Sequence, residues 1–142
     1  MDNWITGAGH FGISVADLDE SIDFYQNILG LKSLPQNNFK RTKSSESEGY
    51  EGAIKFVSDG NVQMHLAEKD LGVAAKNKQF LNPVEKGHIA FRTDNIEYVK
   101  KILKKNNINY ADYGCTFSKE WHQIFFQDPE GNVVEIHQEI SK

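Results

Sequence analysis

The sequence predicts an α+β fold in which one strand–helix–strand–hairpin unit is used twice. Three observations lead there. The stretch Gly9-His10-Phe11-Gly12-Ile13-Ser14-Val15 returns in outline as Gly87-His88-Ile89-Ala90-Phe91. Each is followed by an amphipathic run at 3.6-residue spacing. Each half closes on a hairpin whose turn carries Gly-Asn, at Gly60-Asn61 and Gly131-Asn132. A chain of 142 residues can bury a real core, so 1–142 is expected to be a single domain. The repeat divides it into modules of about 5–68 and 87–140.

Side chains alternate across a strand, so His10, Gly12 and Ser14 share one face while Phe11, Ile13 and Val15 share the other. Leu18, Ile22, Tyr25, Ile28 and Leu29 then predict a helix over about 18–29, with Asp17 or Asp19 as N-cap and Gly30 as its stop. Leu31 to Leu34 reads as a short strand, and Lys43-Ser44-Ser45-Glu46-Ser47-Glu48-Gly49 as a mobile polar loop. Ala53 to Val57 and Val62 to Glu68 pair as a hairpin across Ser58-Asp59-Gly60-Asn61. Residues 69–86, with a helical stretch from Leu71 to Lys78, connect the halves. In the second half Asp94 is read as a cap with Glu97 as its capping-box partner, ahead of the stripe Ile96, Val99, Ile102 and Leu103. Ile108 to Tyr110, Gln123 to Gln127 and Val133 to Gln138 are the remaining strands, with a turn at Asp128-Pro129-Glu130-Gly131-Asn132.

Composition removes several classes of function. A formal net charge of -4 without a basic block gives no nucleic-acid footprint. Lys100, Lys101, Lys104 and Lys105 cluster at helical spacing and read as a solvated helix face. No apolar run approaches the ~18 residues of a membrane span. The first residues lack a secretory pattern, and the single cysteine, Cys115, suits a reducing compartment, so a cytoplasmic location is expected.

The polar faces carry the functional signal. His10, His65, His88 and Glu135 sit singly on the less apolar sides of four strands, two per module. Imidazoles and a carboxylate are the usual ligands of Zn, Fe, Ni, Co or Mn. The four could converge on one ion if the two halves curl around a common cleft. Arg92 and His137 share the ligand faces of their strands, and Phe125 is placed to line the cleft. Arg92 is thus a candidate for a substrate carboxylate, and His137 for orienting Glu135 or touching substrate. Tyr110, Tyr113 and Trp121 are candidates for the rim, whereas His122 has the opposite parity and reads as structural.

His10 with Val15-Ala16-Asp17-Leu18-Asp19-Glu20-Ser21-Ile22-Asp23-Phe24-Tyr25 and Leu29-Gly30-Leu31 resembles the opening of the vicinal oxygen chelate superfamily. Gly87-His88-Ile89-Ala90-Phe91 resembles the start of its second module, and Phe126-Gln127-Asp128-Pro129-Glu130-Gly131-Asn132-Val133-Val134-Glu135-Ile136 its closing motif. The superfamily includes glyoxalase I, methylmalonyl-CoA epimerase, extradiol dioxygenases, fosfomycin-resistance enzymes and bleomycin-binding proteins. The resemblance implies paired βαβββ modules forming a cupped mixed sheet around one divalent ion, with His10, His65, His88 and Glu135 at the ligand positions. His65 departs from the Glu or Gln common in glyoxalase I and the epimerase.

The expected function is therefore a metal-dependent, glyoxalase-like lyase or isomerase that holds a small substrate through adjacent oxygens. The metal acts as Lewis acid and Glu135 moves the proton. Glu46, Glu48 or Glu51 is an alternative base. Without His65, the other three residues form the two-histidine, one-carboxylate arrangement of non-haem iron oxygenases, which suits an extradiol-type dioxygenase. A metal-free drug-binding and resistance dimer is the remaining alternative. A fosfomycin-type thiol transferase would call for anion-binding residues near the last hairpin, where Lys119 stands alone. A homodimer is the expected assembly.

Overall fold

In the computed structural model, which describes residues 4–35, 39–42 and 49–140, the strand–helix–strand–hairpin order occurs twice. The first half contains β1 (Ile5–Val15), α1 (Leu18–Asp23), β2 (Lys32–Ser33), β3 (Ile54–Ser58) and β4 (Gln63–Glu68). A short helix, α2 (Val73–Lys76), lies in the connection. The second half contains β5 (Gly87–Thr93), α3 (Ile96–Lys105), β6 (Ala111–Gly114), β7 (Trp121–Gln127) and β8 (Val133–Glu139). All eight strands form one mixed sheet in the order β2-β3-β4-β1-β5-β8-β7-β6. β1 pairs with β4, and β5 with β8, in parallel; β1 and β5 run antiparallel and join the halves. The order reads the same outward from that seam in both directions, as a duplicated unit requires.

Apolar layers cover both faces of the sheet. On the outer side Leu18 and Ile22 of α1, with Tyr25 of the turn that follows it, pack against Ile13, Val57 and Leu66. There α3 buries Ile96, Val99 and Leu103 against Ile124 and Ile136. On the inner side Phe39, Tyr50, Leu81, Val84 and Phe117 roof over Ile54, Phe56, Trp121 and Phe125. Side chains of the inner strand faces are therefore enclosed.

Several expected boundaries move. Asp17, of the two acids considered, is the cap of α1, accepting from the Glu20 N–H at 3.0 Å. The helix continues as a π-turn over Phe24–Ile28, and Gly30 follows at φ 79°. That wider turn shifts later residues out of the 3.6-residue register, so Ile28 and Leu29 are exposed rather than part of the buried stripe. The cap of α3 is Asn95, not Asp94, because the Asn95 side chain accepts from the Tyr98 N–H at 3.0 Å. Glu97 accordingly pairs with Lys100 instead of closing a capping box. The expected strand at Ile108 to Tyr110 begins only at Ala111: Asn107 ends the helix at φ 58°, and the Ile108 N–H turns back to the Leu103 carbonyl. The polar residues 43–48 lie outside the described part of the chain. Among the described residues no helix is long and apolar enough to cross a membrane.

Candidate metal centre

The strand register places the four expected ligand positions in equivalent pairs. On β4, His65 lies opposite Gly12 of β1 and Phe56 of β3. On β8, Glu135 lies opposite Ala90 of β5 and Phe125 of β7. Each ligand on a hairpin strand thus neighbours the residue two beyond the module's first histidine, His10 or His88. Because β1 and β5 are adjacent, the two histidines meet at the seam.

Three ligand atoms converge there. Glu135 Oε1 lies 3.0 Å from His88 Nε2 and 3.3 Å from His10 Nε2, and the two nitrogens are 3.4 Å apart. Ligands held about 2.1 Å from one ion at right angles stand about 3.0 Å apart, and about 3.4 Å apart in a tetrahedron. Glu135 and His10 are buried, and Glu135 Oε1 receives no hydrogen bond despite its burial. Burial alone would raise the Glu135 carboxyl, but the neighbouring His10 imidazole and the hydrogen bond from His137 hold it well below the usual carboxylate range. Burial also lowers His10 and, more strongly, His65. An ionised carboxylate enclosed beside His10 and His65, both pushed by burial towards the neutral form, is short of positive charge. His10, His88 and Glu135 therefore fit a divalent cation in donor type, spacing and charge.

The other carboxylate oxygen is braced. Glu135 Oε2 accepts from His137 Nδ1 at 2.8 Å and from Gln123 Nε2 at 3.2 Å. His137 Nε2 in turn accepts from Arg92 Nε at 3.3 Å. Ligand atoms of His10, Glu135 and His137 also lie within 4.8 Å of one another, but both His137 nitrogens are engaged on the far side of the carboxylate. The open side belongs to His10, His88 and Glu135. His88 owes its position to Gly12, since a Cβ there would come within 2.1 Å of the His88 ring.

His65 is buried beside this group without joining it. Its ring stacks on His10 with centroids 3.6 Å apart and on Phe56 at 4.2 Å, and its Nε2 pairs with Gln63 Oε1 at 3.2 Å. Phe125 lines the cleft, its ring 5.6 Å from that of His88. Arg92 and His137, expected to meet substrate, do not line it. His137 is fully buried, and Arg92 is turned towards His137 and Glu139.

Of the expected rim aromatics, Tyr110 packs with the outer α3 cluster. Tyr113 and Trp121 are buried in the inner one, where Trp121 stacks on His137 at 4.1 Å. His122 faces away and pairs with Asp112 at 2.8 Å. Glu51 is exposed, and Glu46 and Glu48 lie outside the described residues. Sequence reasoning passed over Gln123 and Gly12 as functional, although both share the parity of a ligand and could have been found by it.

Phe39, Ile54, Val84, Phe117 and Phe125 wall the cleft around the three donors, with no lysine or arginine among the described lining residues. A duplicated cupped sheet holding two imidazoles and a carboxylate in an apolar cleft defines a class of domain that can hold a metal and a small molecule. The chain belongs to the glyoxalase/bleomycin resistance protein/dioxygenase superfamily, whose family model matches residues 7–136. It is 29% identical to the Arabidopsis thaliana protein named glyoxylase I 4 over 93% of this chain and 70% of that one. It is 27% identical to the lactoylglutathione lyase of Salmonella typhimurium over 89% of this chain and 88% of the relative. The crystal structure of methylmalonyl-CoA epimerase from Mycobacterium tuberculosis superposes with a TM-score of 0.69 at 18% identity, covering 99% of this chain and 93% of that chain. That likeness is one of fold.

Proposed function

We propose that this protein is a metal-dependent, glyoxalase-like lyase or isomerase whose small substrate binds through two adjacent oxygens. The observation that carries the reading is the convergence of His10 Nε2, His88 Nε2 and Glu135 Oε1 within 3.4 Å in a buried cleft. The relatives named glyoxylase I and lactoylglutathione lyase support the reaction class. A divalent ion held by these residues, from among Zn, Ni, Fe, Co and Mn, would supply Lewis acidity to a substrate carbonyl.

The remaining chemistry belongs to the chain. Glu135 Oε1, partly released from its place beside His10 and His88, would take a proton from one substrate carbon and return it to its neighbour, while Oε2 stays on His137 and Gln123. Phe117 and Phe125 keep water from the reacting atoms, and the absence of lysine and arginine among the described lining residues favours a substrate with an uncharged body. His65 is the fourth candidate ligand and must release Gln63 to serve. We further propose that the active assembly is a homodimer, although His10, His88 and Glu135 all come from one chain.

One observation favours a second reading. With His65 stacked on His10, the donor set is two histidines and one carboxylate, the arrangement of non-haem iron oxygenases, and it leaves room for a catecholate and dioxygen. A metal-free binding module gives no reason for a buried carboxylate to meet two imidazoles. Metal analysis of the purified protein, followed by assays of methylglyoxal–thiol adducts and of oxygen uptake with catechols, separates the three. Adduct turnover lost in His10→Ala and Glu135→Ala is the expected result. Catechol-dependent oxygen uptake would replace the lyase reading, and absence of any first-row metal at micromolar concentrations would sink both enzyme readings.

A further inference from the structure

Both His137 nitrogens are committed in a way that sets their protonation. Arg92 Nε, which can only donate, points at Nε2 from 3.3 Å, so Nε2 must present a lone pair. The ring hydrogen is then on Nδ1, and it is donated to Glu135 Oε2 at 2.8 Å. The imidazole cannot turn away: Trp121 stacks on one face at 4.1 Å, and Gly9 lies so close that a Cβ there would come within 2.7 Å of the ring. Arg92 is aimed by an ion pair with Glu139, 3.5 Å away on the strand that carries His137. Gln123 supplies a second donor to Oε2. Oε1 alone is left facing His10 and His88, and it receives no hydrogen bond. His10 Nδ1 and His88 Nδ1, by contrast, have no hydrogen-bond partner among the described residues, so the carboxylate is the ligand held by a polar brace.

We infer that Arg92 and His137 are positioning residues for the metal centre. Arg92 sets the tautomer of His137, and His137 holds Glu135 so that it offers a single oxygen to the ion. The inference rests on the metal-centre reading above. Histidine ligands are commonly oriented by outer partners of this kind; here the oriented ligand is the carboxylate and the histidine is the outer partner.

The test compares His137→Asn with His137→Gln. An asparagine amide takes the place of Nδ1 and can still donate to Oε2, whereas a glutamine amide takes the place of Nε2 and cannot. Titration with Co(II), read by the visible spectrum of the bound ion, is expected to show affinity about 10- to 100-fold weaker for His137→Gln and for His137→Phe. His137→Asn should keep most of the affinity and the wild-type spectrum. Packing alone predicts the reverse order, because glutamine fills more of the histidine volume. Circular dichroism checks that each variant folds.

The second arm needs no metal. Imidazole nitrogen NMR of the metal-free protein should find His137 as the Nδ1–H tautomer in the wild type and a mixture of tautomers in Arg92→Leu. An Nε2–H tautomer in the wild type, or Co(II) bound at least as tightly by His137→Gln as by His137→Asn, overturns the inference. Failure of the wild type to bind Co(II) removes the metal reading, and with it the role of the chain, while the NMR arm still reports whether the Arg92–His137–Glu135 hydrogen bonds exist.

Discussion

The two halves have the same register and different chemistry. Glu135 and His65 occupy equivalent places, opposite Phe125 and Phe56 respectively. Next to Glu135 on the inner face stand His137 and Gln123, which are paired across β7 and β8. The corresponding pair in the first half is Ala67 and Ile54. Two donors hold the carboxylate, whereas the histidine stacks on His10 and Phe56 and has a single side-chain hydrogen bond, to Gln63. A carboxylate at 65 would lack the pair of donors that His137 and Gln123 give Glu135, and a poorly paired buried charge costs several kcal/mol. The halves keep the same scaffold, and the polar pair 123/137 decides which can present an anion to a metal.

The largest effect that would break this comparison is expected at Glu135. Glu135→Gln should weaken Co(II) binding by about 100-fold or more, since one of three donors is lost from a site whose binding free energy is on the order of 10 kcal/mol. Its metal-free melting temperature at neutral pH should fall, because a carboxyl held below its ordinary range stabilises the fold when ionised and the amide gives up that contribution. Calorimetric titration beside a thermal melt reads both.

Gly12→Ala comes next. The new methyl group meets the His88 ring, and displacement of that ligand should cost about 10- to 100-fold in Co(II) affinity, the range seen when ligand orientation is lost. Near-wild-type affinity would show that His88 can move without penalty.

His65→Phe sharpens the comparison directly. Because the ring is stacked and its Nε2 engaged by Gln63, Co(II) affinity should change only a few-fold. A 100-fold loss would make His65 a ligand and close the dioxygenase reading.

The smallest effect concerns the second half's other polar group. Asp112 takes Lys100 Nζ at 2.7 Å and His122 Nε2 at 2.8 Å. Burial pushes its carboxyl up, but these partners and the Gly114 N–H outweigh that and leave it below its ordinary value. A carboxyl lowered in the folded state stabilises above its unfolded pKa, and that stability is lost as pH falls through the folded value. Urea unfolding of Asp112→Asn should therefore show a flatter decline below about pH 4 than the wild type. Partial exposure limits the difference to about 1 kcal/mol or less.

Period-two alternation made much of the site legible. A strand has only two faces, so parity put His10, His65, His88 and Glu135 on the less apolar ones, and the repeated Gly-His and Gly-Asn signals supplied the duplication; that this face is roofed over came from Phe39, Tyr50, Leu81, Val84 and Phe117. Helix caps were less legible because Asp94 and Asn95 are both good caps, and the choice fell to the backbone of the preceding strand. The late start of β6 depended on Asn107 entering the left-handed region, which local propensity permits but does not require.

Sequence by itself thus determined the duplicated topology and the faces on which the candidate ligand residues lie, because both follow from local periodicity. Tertiary structure alone decided which of those residues meet. The β1–β5 seam brings two histidines from opposite halves within reach of one carboxylate. Stacking on His10 and on Phe56 turns His65 aside. Arg92 reaches inward to His137 instead of outward to a substrate. Parity gives a side chain its face, but its partner is set by packing between strands far apart in the chain, where hydrogen-bond satisfaction in a buried space leaves one arrangement.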